Sequence, residues 1–246
     1  MDFHCHLDLH SNARKVYAET LTRVEFTWLV TTSPRAFAAT SKVLPPCEQL
    51  FVSPGLHPEV ADQKQAELPL LLKQIESSPI VGEVGLDGSF RYRKHFELQE
   101  RIFSEVIQRC QALGGRVLSV HSRAAAAEVL DVLEKHAGFG VAVLHWFTDS
   151  PPLLRRAEAL GCWFSVGPAM LQSANGRKLA ALMPRDRVVT ESDGPFAEVN
   201  DAPVMPWEAA SAAEGFAALW KTTATEAHSL LRANGTRLVG LMQASE

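Results

Sequence analysis

RVLSVH at residues 116–121 and VAVLH at 141–145 decide the fold. Each is a short, β-branched apolar run closed by a histidine. Between them lies a segment with Val129, Leu130 and Leu133 at helical spacing. A strand, an amphipathic helix and a second strand make a parallel βαβ unit. Its strands are buried on both faces, so they read as near-continuous apolar runs. Outward from this unit the pattern repeats. Strand-like runs stand near 1–5, 27–32 (TWLVTT), 49–54 (QLFVSP), 79–84 (PIVGEV), 161–166 (GCWFSV) and 187–191 (RVVTE). Phe96, Ile102, Phe103, Val106 and Ile107 carry another helical stripe. Eight strands in 246 residues give about 31 residues per unit, the size of a βαβ repeat. The expected fold is α/β, a closed (β/α)8 TIM barrel forming one domain over 1–246. The alternative is an open doubly wound sheet, which wants a glycine fingerprint after its first strand; this sequence has none.

Composition narrows the function classes. Hydrophobic residues make up 46% and charged residues 21%, close to a soluble globular average. No stretch approaches the length of a membrane span. The opening Met1-Asp2-Phe3-His4-Cys5-His6 lacks the basic-then-apolar run of a signal peptide, so a cytoplasmic protein is expected. Cys5, Cys47, Cys110 and Cys162 form no C-x-x-C pair and are expected to stay reduced. A net charge of −4 argues against a broad basic surface for tight, non-specific DNA binding, though not against handling a strand end locally.

The metal-competent residues fall at the C-terminal ends of the expected strands. His4 and His6 end the first, His57 follows the third, Glu83 ends the fourth, His121 the fifth and His145 the sixth, and Asp193 follows the eighth. In a parallel barrel those ends share one rim, where active sites lie. Side chains alternate along a strand, so His4 and His6 face one way and Cys5 the other. Alone, the pair is either a chelate or two solvent-facing imidazoles at a frayed end. Histidines closing the apolar runs at 121 and 145 favour the chelate. Glu83, in Val81-Gly82-Glu83-Val84-Gly85, is costly to bury unless paired or metal-bound. Asp193, before Gly194-Pro195, fits ordinary turn chemistry as well as ligation. Four histidines and two carboxylates suffice for two cations sharing a bridging carboxylate.

His4-Cys5-His6-Leu7-Asp8, Gly55-Leu56-His57-Pro58, Gly82-Glu83-Val84-Gly85-Leu86-Asp87, Val120-His121-Ser122-Arg123, Leu144-His145-Trp146-Phe147 and Glu191-Ser192-Asp193-Gly194-Pro195 resemble, in order, the motifs of TatD-type metal-dependent deoxyribonucleases of the amidohydrolase superfamily. The resemblance implies an amidohydrolase-like TIM barrel that hydrolyses DNA phosphodiesters from a strand end with two divalent ions, magnesium, manganese or zinc. It implies one ion on His4, His6, Glu83 and Asp193, and a second on Glu83, His121 and His145, with Glu83 bridging. Met1–His6, Gly161–Met170 and Val204-Met205-Pro206-Trp207 further resemble the TatD-like nuclease of Qat anti-phage defence systems. That resemblance implies an ATPase and a QueC-like protein as partners. Two stretches depart from the family pattern. Trp146-Phe147 stands where Cys-Phe is usual, and Phe196-Ala197-Glu198-Val199-Asn200-Asp201 replaces an Arg-Gly…Asn motif, which bears on substrate specificity.

Two cations about 3.5–4 Å apart clamp the attacking and leaving oxygens of an in-line displacement. In that scheme Asp193 is the candidate general base, working beside Glu83. His57 either binds a phosphate oxygen or is structural. Arg123 either contacts phosphate or points outward from a helix start. Arg91, Arg93 and Lys94 are either backbone contacts on the rim or a solvated face. Trp146 and Phe147 either stack on a terminal base or belong to the core. Glu191 and Asp87 are expected to orient histidines. Two other readings share the barrel: a metal-dependent amide or ester hydrolase, and a weakly active subunit that mainly docks defence proteins.

Overall fold

The computed structural model describes residues 1–244. Eight parallel strands stand where the apolar runs place them. They are β1 (Asp2–Cys5), β2 (Thr27–Val30), β3 (Leu50–Ser53), β4 (Ile80–Gly85), β5 (Arg116–His121), β6 (Gly140–His145), β7 (Trp163–Val166) and β8 (Val188–Thr190). They pair in chain order as a three-stranded and a five-stranded parallel sheet. Backbone bonds at the C-terminal ends join the two sheets into the TIM barrel. On one side Gly82 donates to Pro54 (2.9 Å) and Glu83 to Thr31 (3.1 Å). On the other, Asp193 donates to His4 (2.9 Å) and His6 to Gly194 (2.8 Å).

The helices connect the strands: α1 (Ala13–Arg23), α2 (Pro34–Val43), α3 (Ala61–Lys64), α4 (Leu68–Glu76), α5 (Phe96–Ala112), α6 (Ala126–Lys135), α7 (Pro151–Ala159), α8 (Pro168–Gln172), α9 (Ala174–Ala180), α10 (Ala212–Trp220) and α11 (Ala224–Ala244). Their starts are written in sequence. Ser33 caps α2 by accepting from Ala36 N at 3.2 Å, with Pro34 in the first turn, where its missing N–H costs nothing. Ile102, Phe103, Val106 and Ile107 of α5 pack with Leu118 and Val120 of β5 in the layer between strands and helices. No helix among the described residues is long and apolar enough to cross a membrane. All four cysteines are free, and only Cys47 is exposed.

Period-two alternation sends the other strand residues to the barrel interior. Trp28, Ile80, Val117, Val143, Trp163 and Val189 form a second apolar cluster with Phe3, separate from the outer layer. The interior changes character along each strand. In β5 it runs Val117, Ser119, His121; in β6, Val141, Val143, His145; from β7 to β8 it passes Trp163, Ser165 and then Glu191. An apolar floor thus gives way to a tier of buried serines, Ser53, Ser119 and Ser165, and then to histidines and carboxylates.

Two details differ from the sequence expectation. Glu83 lies inside β4, two residues before its end, because Gly85 continues the strand at φ 138°. A Cβ on Gly85 would sit 2.1 Å from His121 O, so only glycine lets β4 and β5 meet there. After β8 the chain also forms a small antiparallel hairpin, β9 (Glu198–Val199) and β10 (Ala202–Pro203). Asn200 and Asp201 turn it with φ of 53° and 60°. Two-residue strands carry no apolar alternation, so only the Asn-Asp turn chemistry marked this hairpin in sequence.

Candidate metal centre

Glu83 is the centre of the rim. It is 1% exposed and lies among five imidazoles. His6, His57 and His4 bring their Nε2 atoms to 3.0, 3.2 and 3.4 Å of its Oε2. His121 Nδ1 and His145 Nε2 stand 2.8 and 3.4 Å from its Oε1. The rings of His4 and His145 stack at 3.9 Å, and Asp193 Oδ1 is 3.7 Å from His4 Nε2. Close packing beneath the carboxylate makes this convergence possible. A Cβ on Gly55 would fall 2.4 Å from Glu83 N, so the loop bearing His57 lies directly on β4.

The residues fit a metal. His4 Nε2 and Glu83 Oε2 are buried and lack hydrogen bonds, although polar atoms surround them. Groups such as His4/His6/Glu83 and His4/His145/Asp193 offer ligand atoms within 4.8 Å of one another. Three imidazoles also have a polar partner behind the ring, the arrangement that fixes a ligating tautomer. Ser119 Oγ is 2.7 Å from His4 Nδ1, Asp87 Oδ2 is 2.9 Å from His121 Nε2, and Glu191 Oε2 is 3.5 Å from His145 Nδ1. His57 is different. Its Nδ1 accepts from Glu59 N at 3.1 Å, so the neutral ring carries its proton on Nε2 and acts as a donor into the cavity.

Burial and charge divide the titratable groups. Burial holds His4 and His145 down to about 3, so both are neutral near pH 7. Burial also opposes charge on His121, but its bonds to Asp87 and Glu83 prevail and raise it to about 10. Glu83 stays ionised well below the usual carboxylate range: burial works against this, and the imidazoles around it, His57 first and His121 through a hydrogen bond, outweigh it. Burial pushes Glu191 up to about 7. Asp193 is raised well above an ordinary aspartate by burial and then by the charges of Glu191 and Glu83.

Of the residues singled out in the sequence, His4, His6, His57, Glu83, His121, His145 and Asp193 stand together in this cluster. Asp87 and Glu191 lie directly behind it. Arg123 and Trp146 line the adjoining cavity of about 720 Å³. Arg91 and Arg93 do not line it; they are exposed on the loop after β4. Phe147 is fully buried against Phe164, 5.8 Å between ring centroids, and belongs to the core. The sequence reading missed three positions. Ser119 supports His4. Ser165 Oγ donates to Glu191 Oε2 in a short bond. Asp2 is fully buried, accepting from Ser192 N (2.9 Å), Ser192 Oγ (2.6 Å) and His4 N (3.2 Å), and so ties β1 to the loop of Asp193. The signal for Ser119 was present, a polar residue two before a rim histidine within an apolar strand; Ser165 interrupts the apolar run of β7 without such a residue after it.

A TIM barrel carrying a histidine–carboxylate cluster at the C-terminal ends of its strands defines the class, an amidohydrolase-like hydrolase. The chain belongs to the TatD related DNase family, which matches it over residues 1–240. Human deoxyribonuclease TATDN3 is 26% identical, over 97% of this chain and 93% of that protein. The Escherichia coli K12 uncharacterized metal-dependent hydrolase YcfH is 30% identical over 80% and 77%. The 3′-5′ ssDNA/RNA exonuclease TatD of Cronobacter turicensis is 31% identical over 62% and 60%. The crystal structure of the E. coli K12 TatD homologue YJJV superposes with a TM-score of 0.84 at 24% identity, covering 95% of each chain.

Proposed function

We propose that residues 1–246 form one metal-dependent deoxyribonuclease barrel that hydrolyses DNA phosphodiester bonds from a strand end with a two-metal site. The observation that carries this reading is the buried Glu83 carboxylate with both oxygens facing imidazoles. One ion is assigned to His4, His6, Glu83 and Asp193, and the other to Glu83, His121 and His145. Divalent ions held there would supply Lewis-acid activation of water and of the scissile phosphate.

The chain's own residues do the rest. Asp193, at the edge of the cluster, takes the proton of the attacking water at a carboxylate oxygen. His57 donates from Nε2 to a phosphate oxygen, its ring held by the Glu59 amide. Arg123, on the cavity wall, neutralises the same phosphate. Arg91 and Arg93 meet the DNA backbone farther out. Trp146 takes a base; its own N–H is held by Ser165 O at 3.2 Å and Glu191 Oε1 at 3.2 Å.

The test is cleavage of 5′- and 3′-labelled single- and double-stranded DNA with magnesium, manganese or zinc, beside Glu83→Ala and Asp193→Asn. Metal-dependent cleavage lost in both variants is expected. Metal binding without cleavage under any cation would overturn the reading. The Qat-like stretches support a cytoplasmic role in anti-phage defence with an ATPase and a QueC-like partner, which copurification of the tagged protein from its native cells tests.

A further inference from the structure

The cavity beside the metal centre has an unusual wall. Phe196 is 63% exposed, yet its ring meets His6 edge-on at 5.1 Å between centroids and lines the cavity. It does not sit on a loose loop. Phe196 N and Ala197 N both donate to Asp193 O at 2.9 and 3.0 Å, and Val204 N donates to Ala197 O at 2.9 Å. Ala197 and Val204, each 2% exposed, anchor the root of the β9–β10 hairpin in the protein. Trp146 lines the same cavity from the end of β6, at φ 42°, its backbone N–H shared between Ser165 O and the Glu191 carboxylate. Two aromatic rings on fixed backbone therefore face one space beside the ligands. Among the described residues, Arg123 is the only arginine or lysine lining that space. One guanidinium and two rings suit one phosphate and one planar base better than a long polyanion.

We propose that Phe196 and Trp146 form a clamp that receives the terminal base of a single strand, with the adjoining phosphate at Arg123 and the metal centre. This rests on the nuclease reading above and names the two side chains that hold an unpaired end nucleotide, with little regard to base identity. A base still paired in a duplex must leave its partner before both of its faces are free to stack. Stacking holds any base by its face, so the clamp reads the end rather than the sequence.

The probe is a single-stranded oligonucleotide carrying 2-aminopurine as its last base, at each end in turn or in the middle. Fluorescence is read in EDTA and in each divalent cation, and cleavage is followed in parallel. Quenching is expected at one terminal position and not in the middle. Phe196→Ala is expected to weaken binding and raise KM about tenfold, with the smaller effect on kcat, and Phe196→Trp to restore both. On a strand ending in an abasic sugar the penalty of Phe196→Ala should shrink about tenfold. Cleavage without terminal quenching, or an equal penalty on the abasic strand, overturns the clamp and leaves the nuclease reading standing. Terminal quenching lost in Phe196→Ala without cleavage under any cation supports the clamp and overturns the nuclease reading. Because Phe196 is exposed, melting temperatures of the variants verify that neither result comes from misfolding.

Discussion

The two ends of the barrel interior are built from the same strands by the same alternation, yet they obey opposite chemistry. At the N-terminal end, Trp28, Val117, Val143, Trp163 and Val189 fill the interior with apolar surface. That surface is stabilising wherever it is removed from water, and its fine arrangement matters only for packing. At the other end, two to four residues farther along, His121, His145 and Glu191 replace valine, and the interior becomes an ionised carboxylate among imidazoles. Such a cluster is costly to bury, and is kept only where every group has a partner or a ligand. The serine tier separates the two. Trp28 Nε1 donates upward to Ser53 Oγ at 2.9 Å, and Ser53 donates to Gly82 O at 2.7 Å, beside Glu83. Floor and rim should therefore respond to mutation in different observables, one in stability and the other in metal loading and activity.

Glu83→Ala gives the largest separation. It removes the carboxylate common to both proposed ions, worth several kcal/mol of charge stabilisation, so metal-dependent turnover should fall about a thousandfold or more. Metal content by mass spectrometry should fall with it. Retained turnover would break the division, because the rim would then not depend on its central group. Trp28→Ala is the converse. It opens a cavity in the floor and leaves Ser53 without its donor. A loss of about 3–5 kcal/mol in denaturant unfolding is expected. Activity per folded molecule at low temperature should change far less than in Glu83→Ala.

The division also explains what was legible in the sequence. The strands of the five-stranded sheet were readable because burial on both faces leaves unbroken apolar runs, and a histidine at the end of RVLSVH or VAVLH interrupts that logic visibly. The supporting groups were harder. Ser119 and Ser165 are small enough to pass as core residues, and only the register of β5 against β1 across the barrel brings Ser119 under His4. Asp2 lies next to Met1 in sequence, where a polar residue is unremarkable. Its partners, Ser192 and the His4 amide, are set by closure of the barrel, which joins residues 190 positions apart. Arg91 and Arg93 show the opposite difficulty. Sequence puts them on the rim side of β4, but loop conformation decides which rim residues line the cavity, and these two stay outside it.

Ser119→Ala probes the tier itself. It deletes only the partner of His4 Nδ1, leaving ring, floor and carboxylates in place. Loss of such an orienting group typically costs 10–100-fold in metal affinity or activity. Calorimetric titration with zinc or manganese should show that loss with a stability change of about 1 kcal/mol. A stability loss as large as that of Trp28→Ala would assign Ser119 to the floor.

The pH dependence of loading is the most direct view of the rim's electrostatics. Without metal, His121 is doubly bonded to Asp87 and Glu83 and keeps its proton up to about pH 10, despite burial. Coordination through Nδ1 requires that proton to leave, while Nε2–H stays on Asp87. Burial raises Asp193 too, so protonation there opposes ligation in the same sense. His4 and His145, already neutral, release none. Protons therefore compete with metal, and lowering the pH weakens loading. Apparent affinity should climb at least about tenfold per unit between pH 6 and 9, one proton or more being released for each loaded centre. Titrations in two buffers of different ionisation enthalpy count those protons. Asp87→Asn, which lowers the pKa of His121, should flatten the climb near its upper end. An affinity independent of pH over this range would mean that His121 does not exchange its proton for the ion, and that the rim holds metal without it.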